Sequence, residues 1–298
     1  MKKSTPLLSQ LFLIVFIACS SKESEINFEG AYLNQTPPGM TCEIFAPGIL
    51  STDANEFNAT FTLDGKQIYF TVNTDTSQFI MMMEYKNGTW GERRLAPFSG
   101  RFRDVDPFVS PDGMRIYFSS NRAIDGNGKK NDCDFWYVEQ LQSGGWSEPI
   151  HIANPATPNK HDFYFTMANN GTIYYSVFND DGTGDIYRIH DNETQLLQFG
   201  ISTEYNEHDP FIAPDESYLI FSSNRPGGLG SNDLYISFRD ENDSWSTPQN
   251  MGSSVNSAKY DYCPILSPDG KYLFFSSSRS GNGDVFWIDA KIVSELKK

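Results

Sequence analysis

The chain has 298 residues, 39% of them apolar and 14% aromatic, enough to bury a large core. Its formal charge of −15 repels phosphate backbones and anionic headgroups, which excludes nucleic-acid binding and membrane binding through a basic patch. Acidity of this kind also serves solubility and names no partner.

Residues 1–18 read as a secretory signal, because Lys2 and Lys3 precede an apolar run, Leu7 to Ile17, that is too short to span a bilayer. Phe16-Ile17-Ala18-Cys19 is similar to the lipobox of bacterial lipoproteins, with Phe where Leu is more usual. That resemblance implies acylation of Cys19 as the new N-terminus. With Ser20 behind it, it also implies an outer-membrane lipoprotein of a Gram-negative bacterium, facing the periplasm or the medium. Each buried methylene contributes about 0.8 kcal/mol, so several acyl chains would anchor the protein stably. Residues 19–40 are small, polar and charged up to Pro37-Pro38-Gly39, and read as a flexible tether.

A phrase then recurs five times: an acidic residue, a short apolar run, a turn ending in Asp-Gly or a variant, and an aromatic strand ending in Ser or Thr. The copies run Glu56 to Thr71, Asp104 to Ser119, Asp162 to Ser176, Glu207 to Ser222 and Asp261 to Ser276. Their turn residues Asp64, Asp112, Asn170, Asp215 and Asp269 are 48, 58, 45 and 54 positions apart, a period that suits one four-stranded propeller blade. In the second copy the blade would consist of Pro107 to Ser110, Arg115 to Ser119, Asp134 to Val138 and an outer strand opened by Trp146; Trp90 and Trp245 mark the same place in two other copies. The fifth copy ends before an outer strand, and Phe45-Ala46-Pro47 near the N-terminus can supply it.

The expected fold is therefore all-β: a propeller of five four-stranded blades over residues 41–290, closed by the N-terminal strand, with 291–298 as a tail. A sixth, degenerate blade is the alternative count. Ser110-Pro111-Asp112-Gly113 and Ser267-Pro268-Asp269-Gly270, each followed by an aromatic strand ending in Phe-Ser-Ser, resemble the WD40-like β-propeller repeat of the TolB family. The resemblance implies a protein partner within the cell envelope.

Inner strands line a propeller's channel, so Glu56, Asp104, Asp162, Glu207 and Asp261 should gather as carboxylates near one mouth, with Asp106, Asp209 and His208 beside them. These eight residues are the candidate binding site; Tyr164, His161 and Cys263 are further groups there that break the symmetry. The competing reading has the acids accepting backbone hydrogen bonds at blade junctions or pairing with Arg122, Arg225 and Arg279. The simplest account of those arginines is a clamp across the loop to the Asp that opens the third strand: Arg122 to Asp134, Arg225 to Asp233 and Arg279 to Asp284.

Asp125 to Asp134 and Asn179 to Asp185 look faintly like calcium loops but lack the EF-hand spacing, so no cofactor is expected beyond a channel-bound cation such as calcium. Cys42, Cys133 and Cys263 read as small apolar residues, without metal-ligand spacing. No nucleophile elbow, HExxH, Walker loop or Rossmann fingerprint occurs. The expected function is a monomeric, lipid-anchored, non-catalytic binding or scaffold module for a protein or glycan. The alternative is a carbohydrate-active enzyme using mouth carboxylates, which only fold-level analogy supports.

Overall fold

A tight Asp-Gly turn ahead of a β-branched and aromatic run specifies a hairpin, and the computed structural model holds five such hairpins in series. It describes residues 31–125, 127–152, 160–179, 181–198 and 200–297. The glycine after the turn Asp takes a left-handed φ of 66° at Gly65, 71° at Gly113 and 68° at Gly270, a conformation that a Cβ disfavours. In the fourth copy Glu216 adopts φ 59° instead, held there by hydrogen bonds from Tyr174 Oη and Asn170 Nδ2 at 2.7 Å each.

The inner strands are Asn55–Phe61, Asp104–Val109, His161–Met167, Glu207–Ile212 and Asp261–Leu266. Each pairs antiparallel with its own second strand: Gln67–Asn73, Arg115–Arg122, Ile173–Phe178, Tyr218–Ser223 or Tyr272–Ser277. Third strands follow at Gln78–Lys86, Lys129–Glu139, Gly184–His190, Asp233–Phe238 and Asp284–Asp289, and short outer strands complete five sheets. The described residues form five blades and no sixth sheet.

Trp146 and Trp245 do not open outer strands. They sit at single bridges opposite Gln140 and Arg239, ahead of two-residue strands at Ile150–His151 and Gln249–Asn250. Pro149 and Pro248 immediately precede those strands and have no N–H for a ladder, which keeps the outer edges short.

The ring closes through the N-terminal segment. Glu43–Ile44 pairs antiparallel with Asp284–Asp289, Glu43 opposite Trp287 and Ile44 opposite Phe286, and Phe45 N–H adds a 2.7 Å bond to Val285 O. The inner strand of blade 1 meets blade 5 directly, where Glu56 N–H donates to Gly283 O at 2.7 Å. Apolar side chains fill the junctions between blade faces; Phe45, Phe274 and Trp287 are fully buried at the closure.

Two segments outside the repeat are ordered against this core. Tyr32, within the stretch expected to be a tether, is buried edge-on to Phe61 and Tyr272, and its hydroxyl donates to Asp269 at 2.8 Å. Lys291–Leu296, expected as a tail, forms a short helix that buries Ile292 and Val293. The segment read from sequence as a lipoprotein signal, with Cys19, lies outside the described residues.

Candidate functional site

Each inner strand carries the same irregularity just after its acidic residue. The register slips between Phe57 and Thr60, Val105 and Phe108, Phe163 and Thr166, His208 and Phe211, and Tyr262 and Ile265. Within each slip one residue is left-handed: Asn58 (φ 49°), Asp106 (57°), Tyr164 (54°), Asp209 (53°) and Cys263 (50°). Asn and Asp tolerate that region, whereas Tyr and Cys do so at a cost of about 1–2 kcal/mol. The ring imposes the bulge whatever residue occupies it.

Blade-to-blade hydrogen bonds supply the compensation. Asn58 N–H donates to Ser276 Oγ at 3.0 Å, Asp106 N–H to Thr71 Oγ1 at 3.1 Å and Asp209 N–H to Ser176 Oγ at 2.7 Å, each acceptor lying on the preceding blade. In these three cases the Ser or Thr that ends the preceding repeat is the stitch; Ser222 Oγ instead donates to Asp261 O on the next blade at 2.8 Å, and Ser119 Oγ is buried without a hydrogen bond.

The bulge also decides where the acids point. Glu56, Asp104, Asp162, Glu207 and Asp261 are essentially inaccessible and turn into the blade junctions. Thr52, Gly100, Thr203 and Ser257 donate backbone N–H bonds to four of them, at 3.1, 3.3, 2.8 and 2.6 Å. Arginines neutralise the same four: Arg93 on Glu56 at 2.8 Å, Arg122 on Asp104 at 2.6 Å, Arg225 on Glu207 at 3.2 Å and Arg279 on Asp261 at 2.7 Å.

The five acids therefore do not line the opening. The arginines also do not clamp the Asp of the third strand, because the ring acid, buried and next in line, takes the guanidinium. Asp134 instead pairs with Lys130 at 2.5 Å and lies 3.4 Å from His151 Nε2. Asp233 accepts from the N–H groups of Leu229 and Gly230 and from Asn250 Nδ2. Asp284 is 4% exposed, and its carboxyl is held above the usual range by burial and, less, by the Glu56 charge.

What lines the mouth is the row one position further on. Phe57, Val105, Phe163, His208 and Tyr262 each follow a ring acid, and all five border a cavity of 340 Å³. Ring contacts run along an arc of it: Phe57 to Tyr262 (6.0 Å between centroids), Tyr262 to Tyr260 (5.0 Å), then Tyr260 to His208, His208 to Phe178 and Phe178 to Phe163 (5.7 Å each). Arg103 continues the collar, its guanidinium 5.0 Å from the Phe163 centroid and its Nε donating to Gln78 Oε1 at 2.5 Å.

Beneath the collar sit Asp106 and Asp209, 6% and 7% exposed. Asp209 Oδ2 lies 3.1 Å from His208 Nδ1 and accepts from Cys263 N–H at 3.2 Å and Sγ at 3.3 Å. Asn232 Nδ2 lies 3.0 Å and Tyr260 Oη 2.8 Å from His208 Nε2. Burial first, and the Asp209 charge second, push the Asp106 carboxyl up to about 7. The Cys263 thiol is raised well above its ordinary value by burial and then by Asp209 and Asp106, which suppresses the thiolate.

Asp106 makes stability depend on pH. Unfolded, it titrates near 4, so the folded state binds this proton more tightly. Its stabilising contribution is complete below about pH 4 and is lost as pH rises through about 7. Asp106→Asn should thus raise the melting temperature at pH 8, change it little at pH 4, and flatten the slope between; an equal shift at both pH values would show that the carboxyl is not buried against Asp209.

No protein-family model matches the chain, and no curated protein matches it. Among solved structures it superposes on TolB from Acinetobacter baumannii with a TM-score of 0.52 at 17% identity, covering 81% of this chain and 53% of that one. The fold is a five-bladed β-propeller with TolB-like neighbours. The putative TolB from Agrobacterium tumefaciens aligns at TM-score 0.49 and 19% identity, over 75% of this chain and 70% of that one. An oligogalacturonate lyase from Vibrio parahaemolyticus aligns at 0.39 and 11%, over 83% and 96%. The propeller spans about half the length of the Acinetobacter protein.

Of the eight site residues expected from sequence, the propeller brings Asp106, His208 and Asp209 to the cavity and directs the five ring acids away from it. Sequence reasoning missed the collar of Phe57, Phe163, Phe178, Tyr260 and Tyr262, the rim pair Gln78 and Arg103, and Arg93. A signal was present, since the position after each ring acid is aromatic or His in four copies of five.

The two loops with a faint likeness to calcium loops hold ion-pair and turn chemistry. Lys130 Nζ sits between Asp132 and Asp134, at 3.0 and 2.5 Å, and Asp181 Oδ1 accepts from Thr183 N–H and Oγ1. Among the described residues no group of three or more His, Cys, Asp or Glu side chains could hold a metal ion. Cys42, Cys133 and Cys263 are free thiols, the last two buried.

Proposed function

We propose that this propeller is a lipid-anchored cell-envelope module that holds a partner protein non-catalytically at the channel mouth. One observation carries the reading: an open cavity with an arc of aromatic side chains and two carboxylates at its floor. Rigid aromatic surface over a few fixed polar groups is what recognition sites use, and the volume suits one side chain or chain terminus. The suppressed Cys263 thiol and the raised hydroxyls of Tyr164 and Tyr262 argue against nucleophilic chemistry there. The TolB-like fold and the lipobox-like Phe16 to Cys19 support placement in the envelope, with acylation of Cys19 as the anchor.

The test is site-specific crosslinking in whole cells. A photoreactive residue in place of Gln78, at the rim, should capture one stoichiometric protein. The same residue in place of Met114, at the turn end of the inner strand of blade 2, should not. Capture from Met114 alone, or from neither, would overturn the reading.

A second reading has one observation in its favour. A carboxyl raised to about 7 beside another carboxylate is what a general acid in sugar-chain cleavage requires. Release of new chain ends from a polysaccharide, abolished by Asp106→Asn, would establish it. The binding reading expects no turnover.

A further inference from the structure

The two floor carboxylates differ from four of the five ring acids. Four ring acids have an arginine within 3.2 Å; among the described residues neither Asp106 nor Asp209 has an arginine or lysine partner, only His208 beside Asp209. Arg103, the nearest cation, is committed to Gln78 and the Phe163 face at the rim. The floor is negative, offset only in part by the Arg103 charge at the rim, and aromatic side chains line the cavity with it.

Behind Asp106, and not itself on the cavity wall, lies a polar side chain that helps to fix it. Asn58 occupies the bulge position of blade 1, is 3% exposed, and spends its amide Nδ2 on Asp106 Oδ1 at 3.5 Å. Its Oδ1 is buried without a hydrogen-bond partner. Leaving such an oxygen unsatisfied is unfavourable unless something that donates completes it.

From this we infer that the mouth is a receptor for a primary ammonium group, carried on a lysine side chain or on the α-amine of a partner chain. This rests on the reading of the mouth as a binding site and supplies its chemistry. An ammonium brings three N–H donors and one positive charge; the Asp106 and Asp209 carboxyl groups, both lining the cavity, offer acceptor oxygens and the opposite charge. The collar of Phe57, Tyr260 and Tyr262 presents ring faces to a cation that enters past it. A bare divalent ion fits less well, since calcium asks for six to eight oxygens and the floor supplies few. The cavity of 340 Å³ admits an aminoalkyl chain and not a folded domain.

Occupancy is linked to the Asp106 proton. The groups facing Asp106 are Asp209, Arg103, Asn58 and the Tyr164 N–H, with His208 and Cys263 on the far side of Asp209. Below about pH 7 Asp106 takes a proton that the ammonium must displace, so affinity falls as the solution is acidified.

Calorimetric titration of the purified protein with three blocked peptides tests the inference. Acetyl-Gly-Lys-Gly-amide carries only the side-chain amine, Gly-Gly-Gly-amide only the terminal one, and acetyl-Gly-(Nε-acetyl-Lys)-Gly-amide neither. One of the first two should bind at least about tenfold more tightly than the third. Asp106→Asn with Asp209→Asn should remove that preference while the melting temperature at pH 8 holds or rises, and Tyr262→Leu should weaken it less. Equal binding of all three peptides, no binding by either amine, or a preference that survives the double substitution would overturn the inference. If the amines fail while Gln78 still captures its protein, the partner stays and the ammonium chemistry falls; if both fail, the mouth is not a binding site.

Discussion

Phe45→Ala should lower stability by about 3–5 kcal/mol, the range for emptying a large aromatic site in a packed core. The ring is fully buried and meets Phe61, Phe274 and Trp287 with centroids 6.1, 5.0 and 5.2 Å away, mostly edge to face. It is also the residue that locks the closing strand, through its N–H to Val285 O. At roughly 2–4 °C per kcal/mol for a domain of this size, the melting temperature should drop by roughly 6–20 °C. Ile49, four residues on and 46% exposed, provides the control; Ile49→Ala should stay within about 0.5 kcal/mol. Because the lost contacts are the ones that hold the first ordered strand to the last blade, the variant should also expose the edge of Asp284–Asp289 and aggregate below its melting temperature. Thermal unfolding followed by circular dichroism and light scattering reads both effects. A Phe45→Ala protein that melts like its parent would mean that the ring is held shut elsewhere.

The architecture was legible because its punctuation is chemical. Asp112-Gly113 and Asp269-Gly270 need a left-handed residue, and the aromatic runs after them need two-sided burial, so turn and strand are written in residue types. Closure was legible from what the fifth copy lacks, although the strand itself is Glu43–Ile44, with Phe45 extending it and not beginning it. The position of the ring acids was visible too, but their direction was not. An acid at the head of an inner strand can face the channel or the junction, and here the bulge two residues later decides. That bulge has no signature in the sequence, because Asn58, Asp106, Tyr164, Asp209 and Cys263 share a conformation and no chemistry. Arg93 was hidden for a related reason. Thr74 stands where the second copy has Arg122, and the cation that serves Glu56 arrives from the outer hairpin of blade 1, where no repeat position foretells it.

Arg122→Ala should cost about 3–5 kcal/mol, because it leaves Asp104 charged, fully buried and without its counter-ion. The guanidinium is 8% exposed and does four things at once. It donates to Asp104 Oδ1 at 2.6 Å, to Ser120 Oγ at 2.8 Å and to Phe98 O at 3.1 Å, and it lies 5.0 Å from the Phe118 ring centroid. Arg122→Lys should therefore recover little, since an ammonium cannot reproduce the planar fork or the stacking. Arg93→Ala should cost less than Arg122→Ala, because the Arg93 side chain is 22% exposed and water can reach the space it vacates. Replacing Asp104 by Asn together with Arg122 by Met removes the charge that made the single change expensive, and should restore much of the loss. Denaturant unfolding of the four variants separates the cases. A loss below about 1 kcal/mol for Arg122→Ala would put the pair in the class of surface salt bridges, and the acids at the blade junctions would no longer account for the rigidity of the mouth they surround.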